Sequence, residues 1–144
     1  MKRVLTLCAA VLCLTWLPLS AGAAGEPGVS ASCAILVDAE SGRVLMEKNA
    51  DEERAIASIT KLMTALVAVE STSDLDRTVT IQKEWTLAEG SSMYLREGEE
   101  LTLRELLYGL LLVSGNDAAL AIAGFCAGDT DTFVEWMNLR AQEL

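Results

Sequence analysis

Between Leu106 and Ala127 the chain is apolar for long enough to cross a bilayer, yet it reads Ser114-Gly115-Asn116-Asp117 in the middle. No other stretch constrains the fold as much. A single membrane-spanning helix would set Asp117 near the bilayer centre, at a cost of roughly 2.5–3.5 kcal/mol. Gly115 and Asn116 are weak helix formers, placed where a break would come. The better reading is two buried helices joined by a tight polar turn. The first opens at a capping box, with Thr102 at N-cap and Glu105 at N3, and runs to about Val113. The second spans Asp117 to Ala127 and stops at Gly128.

A chain of 144 residues, 51% of them hydrophobic, is long enough to bury a core and is the size of one domain. Its start reads as a targeting segment. Lys2 and Arg3 precede an apolar run from Val4 to Leu19, and Ala21-Gly22-Ala23 fits a small-x-small cleavage site. Residues 1–23 are therefore expected to be a signal peptide, with an uncleaved membrane anchor as the alternative. The mature chain is expected to work outside the cytoplasm. Removing Lys2 and Arg3 leaves 9 basic residues against 21 acidic ones, a net charge of −12. Such a chain repels phosphate backbones and anionic lipid, which argues against a nucleic-acid partner. Cys33 and Cys126 remain in the mature chain and read either as one disulfide or as two separate buried thiols.

Residues 25–32 are a Gly/Pro/Ser linker, and residues 33–48 read as a β-hairpin around Asp38-Ala39-Glu40-Ser41-Gly42. A charged loop, residues 49–54, leads to a helix from about Ser58 to Glu70. Thr78-Val79-Thr80-Ile81 alternates as a short strand does. Gly90-Ser91-Ser92 reads as a loop and residues 96–100 as a charged turn. Spacing assigns no chemistry to Ser91 or Ser92.

The chain contains no histidine. That removes Ser-His-Asp and Cys-His catalysis and His-ligated zinc from these residues. A base, if there is one, must be Lys, Asp, Glu, Cys or Tyr. Ser58 and Lys61 stand three residues apart at the start of the helix, so they lie on one face a turn apart. Leu62, Met63, Ala65, Leu66, Val67, Ala68 and Val69 make the helix apolar nearly all round, so it is expected to be buried on most sides. Desolvation there would lower the lysine pKa. A neutral amine beside a hydroxyl is a general base beside a nucleophile, and the N–H groups of the helix end favour the anion formed on attack.

Ser-x-x-Lys alone is a short pattern that chance supplies, and so is Ser-x-Asn. Here they occur together: Ser58-Ile59-Thr60-Lys61 opens an apolar helix, and Ser114-Gly115-Asn116 lies in the turn between two others, 56 residues after Ser58. With a Lys-Thr-Gly strand they form the signature of penicillin-binding proteins and class A β-lactamases. The segments "ASITKLMTALVAVE", "EGSSMYL" and "LLYGLLLVSGNDAALAIA" resemble the secreted serine D-alanyl-D-alanine carboxypeptidases, the low-molecular-weight penicillin-binding proteins. The resemblance runs in order from about Cys33 to the C-terminus. Two departures stand out. Ile56 occupies the place where many members have proline, and no Lys-Thr-Gly occurs anywhere in the chain.

The resemblance implies an α+β fold of the serine β-lactamase and D,D-peptidase type, an antiparallel sheet flanked by helices. Residues 24–144 would be the N-terminal part of that domain, cut before its third motif and expected to be inactive alone. The implied reaction removes the terminal D-alanine of a peptidoglycan stem peptide through an acyl-enzyme on Ser58. Lys61 would take the proton, Ser114 would relay one toward the leaving amine, and Asn116 would hold the peptide backbone. β-Lactams would act as covalent inhibitors. No cofactor or metal is implied, and any membrane association would fall to a segment beyond Leu144. Helix capping offers Ser114 and Asn116 a plainer role. Three alternatives remain: a serine β-lactamase, a sporulation- or division-linked member acting on the same bond, and a non-catalytic penicillin-binding cell-wall module. Gly115, where class A β-lactamases carry Asp, favours the peptidase.

Overall fold

The hydroxyl of Thr102 accepts from the backbone N–H of Glu105, and the Glu105 carboxylate takes the Thr102 N–H in return at 2.7 Å. This capping box satisfies two of the donors that a helix start leaves without partners. It sets the register of the longest apolar stretch in the chain. The computed structural model describes residues 28–144, and the proposed signal peptide lies outside the described residues. The chain divides into one unit ending at Glu53 and a second, Arg54–Leu144.

In the first unit, strands β1 (Ala34–Val37) and β2 (Val44–Lys48) pair antiparallel, Ala34 opposite Lys48 and Leu36 opposite Met46. Asp38 closes the turn by accepting from the Ser41 backbone and hydroxyl, and Gly42 takes a left-handed φ of +70° that a side chain would oppose. The hairpin is the one expected. Its apolar residues Ile35, Leu36, Val37, Val44 and Leu45 are exposed.

The second unit holds four helices among the described residues: α1 (Thr60–Ser71), α2 (Leu103–Leu112), α3 (Asn116–Ala127) and α4 (Thr130–Glu143). A two-stranded ladder, β3 (Thr78–Thr80) with β4 (Glu100–Thr102), precedes α2. The antiparallel strands thus form two separate ladders rather than one layer. Leu103, Leu106, Leu107 and Leu110 of α2 interlock with Ala118, Ala121, Ile122 and Ala123 of α3. Val67 and Ala68 of α1, Val79, Ile81, Leu95 and Phe133 complete the core. Each fully buried Leu, Ile or Phe contributes roughly 1.5–3 kcal/mol. The small residues of α3 let the neighbouring helices approach it closely.

The polar break between α2 and α3 falls where expected, and Gly128 ends α3 with φ +89°. Among the described residues no helix is long and apolar enough to cross a membrane. Three elements were not expected. Residues 83–87 form a 3-10 turn, residues 100–102 pair as β4 instead of ending a charged turn, and α4 follows Gly128 with Asp129 capping Thr132.

Helix α1 corrects an expectation. Only Thr64, Val67 and Ala68 are buried, while Leu62 is 63% and Val69 47% exposed. The reason is geometric. Positions 64, 67 and 68 share the face packed on α3 and α4, and positions 62 and 69 share the opposite one. Cys33 and Cys126 are not bridged to each other or to any other of the described residues. Burial pushes the Cys126 thiol up, against the opposing pull of Ser71 and Arg77.

Gly124 on α3 faces Trp85, whose indole Nε1 would lie 2.5 Å from an added Cβ. Alanine gains about 1 kcal/mol of helix propensity over glycine, and overpacking costs about 1–3 kcal/mol. Since the obstacle is a rigid indole ring, overpacking wins. Gly124→Ala should lower the urea unfolding midpoint, and an unchanged or raised midpoint would contradict this packing account.

Candidate active site

Ala57–Ile59 forms a single 3-10 turn that runs directly into α1 at Thr60. Ala57 has φ +47°, a conformation that costs a non-glycine residue about 1–3 kcal/mol. Ser58 follows it, exposed, one turn before Lys61. The serine thus sits just ahead of the α-helix rather than inside it, but the expected pairing forms. Lys61 Nζ lies 3.4 Å from Ser58 Oγ. Lys61 is half-buried, and its Nζ also donates to Asn116 Oδ1 at 2.7 Å.

The second half of the site is the turn between α2 and α3. Ser114 takes φ +59°, and its hydroxyl is buried without a hydrogen-bond partner among the described residues. Ser58, Lys61, Leu110 and Ser114 line one cavity of about 340 Å³. Neither Ser114 nor Asn116 caps α3. Gly115 is its N-cap residue, with no side-chain cap, and the Asn116 amide is spent on Lys61 and on the Glu89 carbonyl, to which Nδ2 donates at 2.6 Å. A buried hydroxyl with no partner is costly, which sets Ser114 apart from an ordinary loop serine. Of the four residues singled out in the sequence, Ser58, Lys61 and Ser114 border the same cavity, and Asn116 is joined to it through its bond to Lys61.

Asp117 follows Asn116 directly, and its carboxylate is buried. It is 1% exposed. Its carboxylate accepts from the Ser92 hydroxyl at 2.6 Å and from the backbone N–H of Met93, Leu95 and Ala118 at 2.9, 3.1 and 2.9 Å. Burial works to raise its pKa, but these four donors outweigh burial and hold the carboxyl below its ordinary value. Asp117 also stands in the first turn of α3, where the helix dipole favours a negative charge. The clue in the sequence was an acidic residue inside the most apolar stretch, since buried charges are kept only where they are paired.

The middle residue of the Ser-Gly-Asn turn must be small. A Cβ on Gly115 would lie 2.9 Å from Asp117 Oδ1 and 3.1 Å from Met93 Cγ. Among the described residues no group of three carboxylates or thiols is placed to hold a metal ion.

The structure sets a serine at a helix start, a lysine reaching it, and an asparagine from a distant turn on that same lysine. A profile of the D-alanyl-D-alanine carboxypeptidase family matches residues 20–144. The chain belongs to this family. It is 36% identical, over its whole length, to the D-alanyl-D-alanine carboxypeptidase DacF of Bacillus subtilis, of which the match covers 40%. It is 39% identical to DacA of Escherichia coli, over 79% of the chain and 31% of that protein. The crystal structure of a D-alanyl-D-alanine carboxypeptidase from Mycobacterium tuberculosis superposes with a TM-score of 0.80 at 38% identity. That superposition covers 85% of this chain and 46% of the other. Penicillin-binding protein 5 from Haemophilus influenzae superposes at 0.77 with 31% identity, over 84% of this chain and 37% of that one. The fold is thus the α+β fold of the D,D-peptidases. The chain spans less than half the length of each of these relatives, and no Lys-Thr-Gly falls within it.

Proposed function

We propose that this chain carries the acylating motifs of a serine D-alanyl-D-alanine carboxypeptidase. In that reading residues 1–23 export the protein, and residues 24–144 are the N-terminal part of the catalytic domain. It acts outside the cytoplasm on peptidoglycan stem peptides. Ser58 Oγ attacks the carbonyl carbon of the penultimate D-alanine. Lys61 takes the hydroxyl proton. The tetrahedral intermediate expels the terminal D-alanine, whose amine receives a proton through Ser114. Water then attacks the ester on Ser58 and releases the shortened peptide. Asn116 holds Lys61 through its oxygen, and its second N–H is left to meet a substrate backbone carbonyl.

The observation that carries this reading is the position of Lys61 Nζ, 3.4 Å from Ser58 Oγ and 2.7 Å from Asn116 Oδ1. One amine joins the two motifs. The longer contact suits an unliganded site, where catalytic hydrogen bonds tighten only once substrate is bound. The orphaned Ser114 hydroxyl in the same cavity adds support, because a proton relay needs a hydroxyl not committed elsewhere.

Ser58 is expected to be the sole residue of the full-length protein that labelled penicillin acylates. Peptide mass spectrometry locates the adduct, and release of D-alanine from a stem-peptide substrate measures turnover. An adduct on Ser114 or elsewhere would overturn the assignment of the nucleophile. Labelling of Ser58 without D-alanine release would favour a non-catalytic penicillin-binding module.

A further inference from the structure

The carboxamide of Asn116 has two unlike ends, and only the oxygen accepts a hydrogen bond from Lys61. Which end faces the lysine is decided by what takes the nitrogen. Here Nδ2 donates to the backbone carbonyl of Glu89 at 2.6 Å. That carbonyl belongs to a segment without regular structure, residues 88–95. Left loose, such a segment would not hold an amide in one orientation.

The segment is not loose. The Asp117 carboxylate takes the Ser92 hydroxyl and the Met93 and Leu95 amides, and the Ser91 carbonyl accepts from the Asn116 backbone N–H at 2.7 Å. The Ser92 hydroxyl also accepts from the Tyr94 N–H at 2.9 Å. Met93 lodges in a notch that two glycines leave open. A Cβ on Gly109 would fall 1.7 Å from Met93 Sδ, and one on Gly115 would fall 3.1 Å from its Cγ. Gly90, with φ +88°, leaves just enough room for the Asn116 amide, since a Cβ there would stand 3.0 Å from Nδ2.

We propose that Asp117, acting through Ser92, is a positioning residue for acylation: it clamps residues 89–95 so that the Glu89 carbonyl turns the Asn116 amide oxygen toward Lys61. This inference rests on the proposed function. Without the clamp the amide loses the partner that tells its ends apart, and rotation by half a turn presents N–H groups to the lysine. Misplacement by about 1 Å of a group that orients a reacting atom costs up to about a hundredfold in rate.

The test uses the full-length protein with Ser92→Ala, Ser92→Thr and Gly90→Ala. The rate constant and the stoichiometry of labelling by fluorescent penicillin are measured, with hydrogen exchange of the Asn116 side-chain amide followed by NMR. Ser92→Ala should label to the same stoichiometry about tenfold more slowly, the effect of losing one charge-assisted hydrogen bond, and its Asn116 amide should exchange faster. Ser92→Thr restores the hydroxyl and should restore both readouts. Gly90→Ala, which disturbs the amide from the other side, should slow labelling as well, and it decides the matter if Ser92→Ala does not fold. A lower labelled fraction at an unchanged rate means a merely structural role and overturns the proposal. If the wild-type protein is not labelled at all, the proposed function fails. The Asn116 exchange rate then judges the clamp alone, and no change in Ser92→Ala or Gly90→Ala overturns it.

Discussion

In the full-length protein Lys61→Arg is expected to slow acylation of Ser58 by penicillin about 10²–10⁴-fold, the range that a positioned general base contributes. The substitution separates two jobs that Lys61 performs. Arginine supplies N–H donors of its own, so the bond to Asn116 Oδ1 has a replacement and the turn between α2 and α3 keeps its tether. What arginine does not do is lose its proton at any working pH, so no base faces the Ser58 hydroxyl. Stopped-flow labelling measures the rate, and thermal unfolding checks that the fold persists. Lys61→Ala removes both jobs and should additionally lower the melting temperature. Acylation of Lys61→Arg near the wild-type rate would show that the proton leaves Ser58 by another route.

How much of this was readable beforehand differs between elements. The Ser58–Lys61 pair, the Thr102–Glu105 capping box and the break at residues 114–116 are local patterns, fixed by neighbours within a turn of helix. The hairpin around residues 38–42 is likewise local. What the sequence did not disclose depends on distant partners. Strand β4 is three residues long, and its strand character comes from pairing with Thr78–Thr80, the partners standing 20 to 24 positions apart. Helix α4 carries a short apolar stripe, Phe133, Trp136 and Met137, of which only Phe133 is fully buried, and the stripe is too brief to stand out; Asp129 starts the helix, and Arg140 ties it to Glu70 of α1 at 2.9 Å. The buried sides of α1 were overestimated because seven apolar positions do not say which of them find a partner. The meeting of Lys61 with Asn116 was not legible, since no periodicity links residues 55 positions apart and the resemblance gave Asn116 only a hold on the substrate backbone.

Asp117→Ala should destabilise the full-length protein by more than the cost of one buried donor left without a partner, about 1–3 kcal/mol, because the carboxylate serves several. The carboxylate serves four donors, and truncation leaves the Ser92 hydroxyl and the Met93, Leu95 and Ala118 amides facing one another around a void. Each donor left without a partner costs about 1–3 kcal/mol, but residues 91–95 can shift toward water and recover part of that, so the costs do not sum. Against a usual total of about 5–15 kcal/mol the loss is large, and it should appear as a fall of many degrees in melting temperature. Asp117→Asn keeps the shape and one acceptor oxygen, and should lose less. The pH dependence gives the sharper check. The folded carboxyl sits below its ordinary value of 3.8, so its contribution is fully present above that value and is lost as pH falls through the lower folded pKa. The stability gap between wild type and Asp117→Asn should therefore be constant near neutrality and narrow in acid below pH 3.8. Urea titrations at neutral and acidic pH measure it. A gap that stays the same, or that widens as pH falls, would mean that the ionised carboxylate is not what holds residues 92–95 in place.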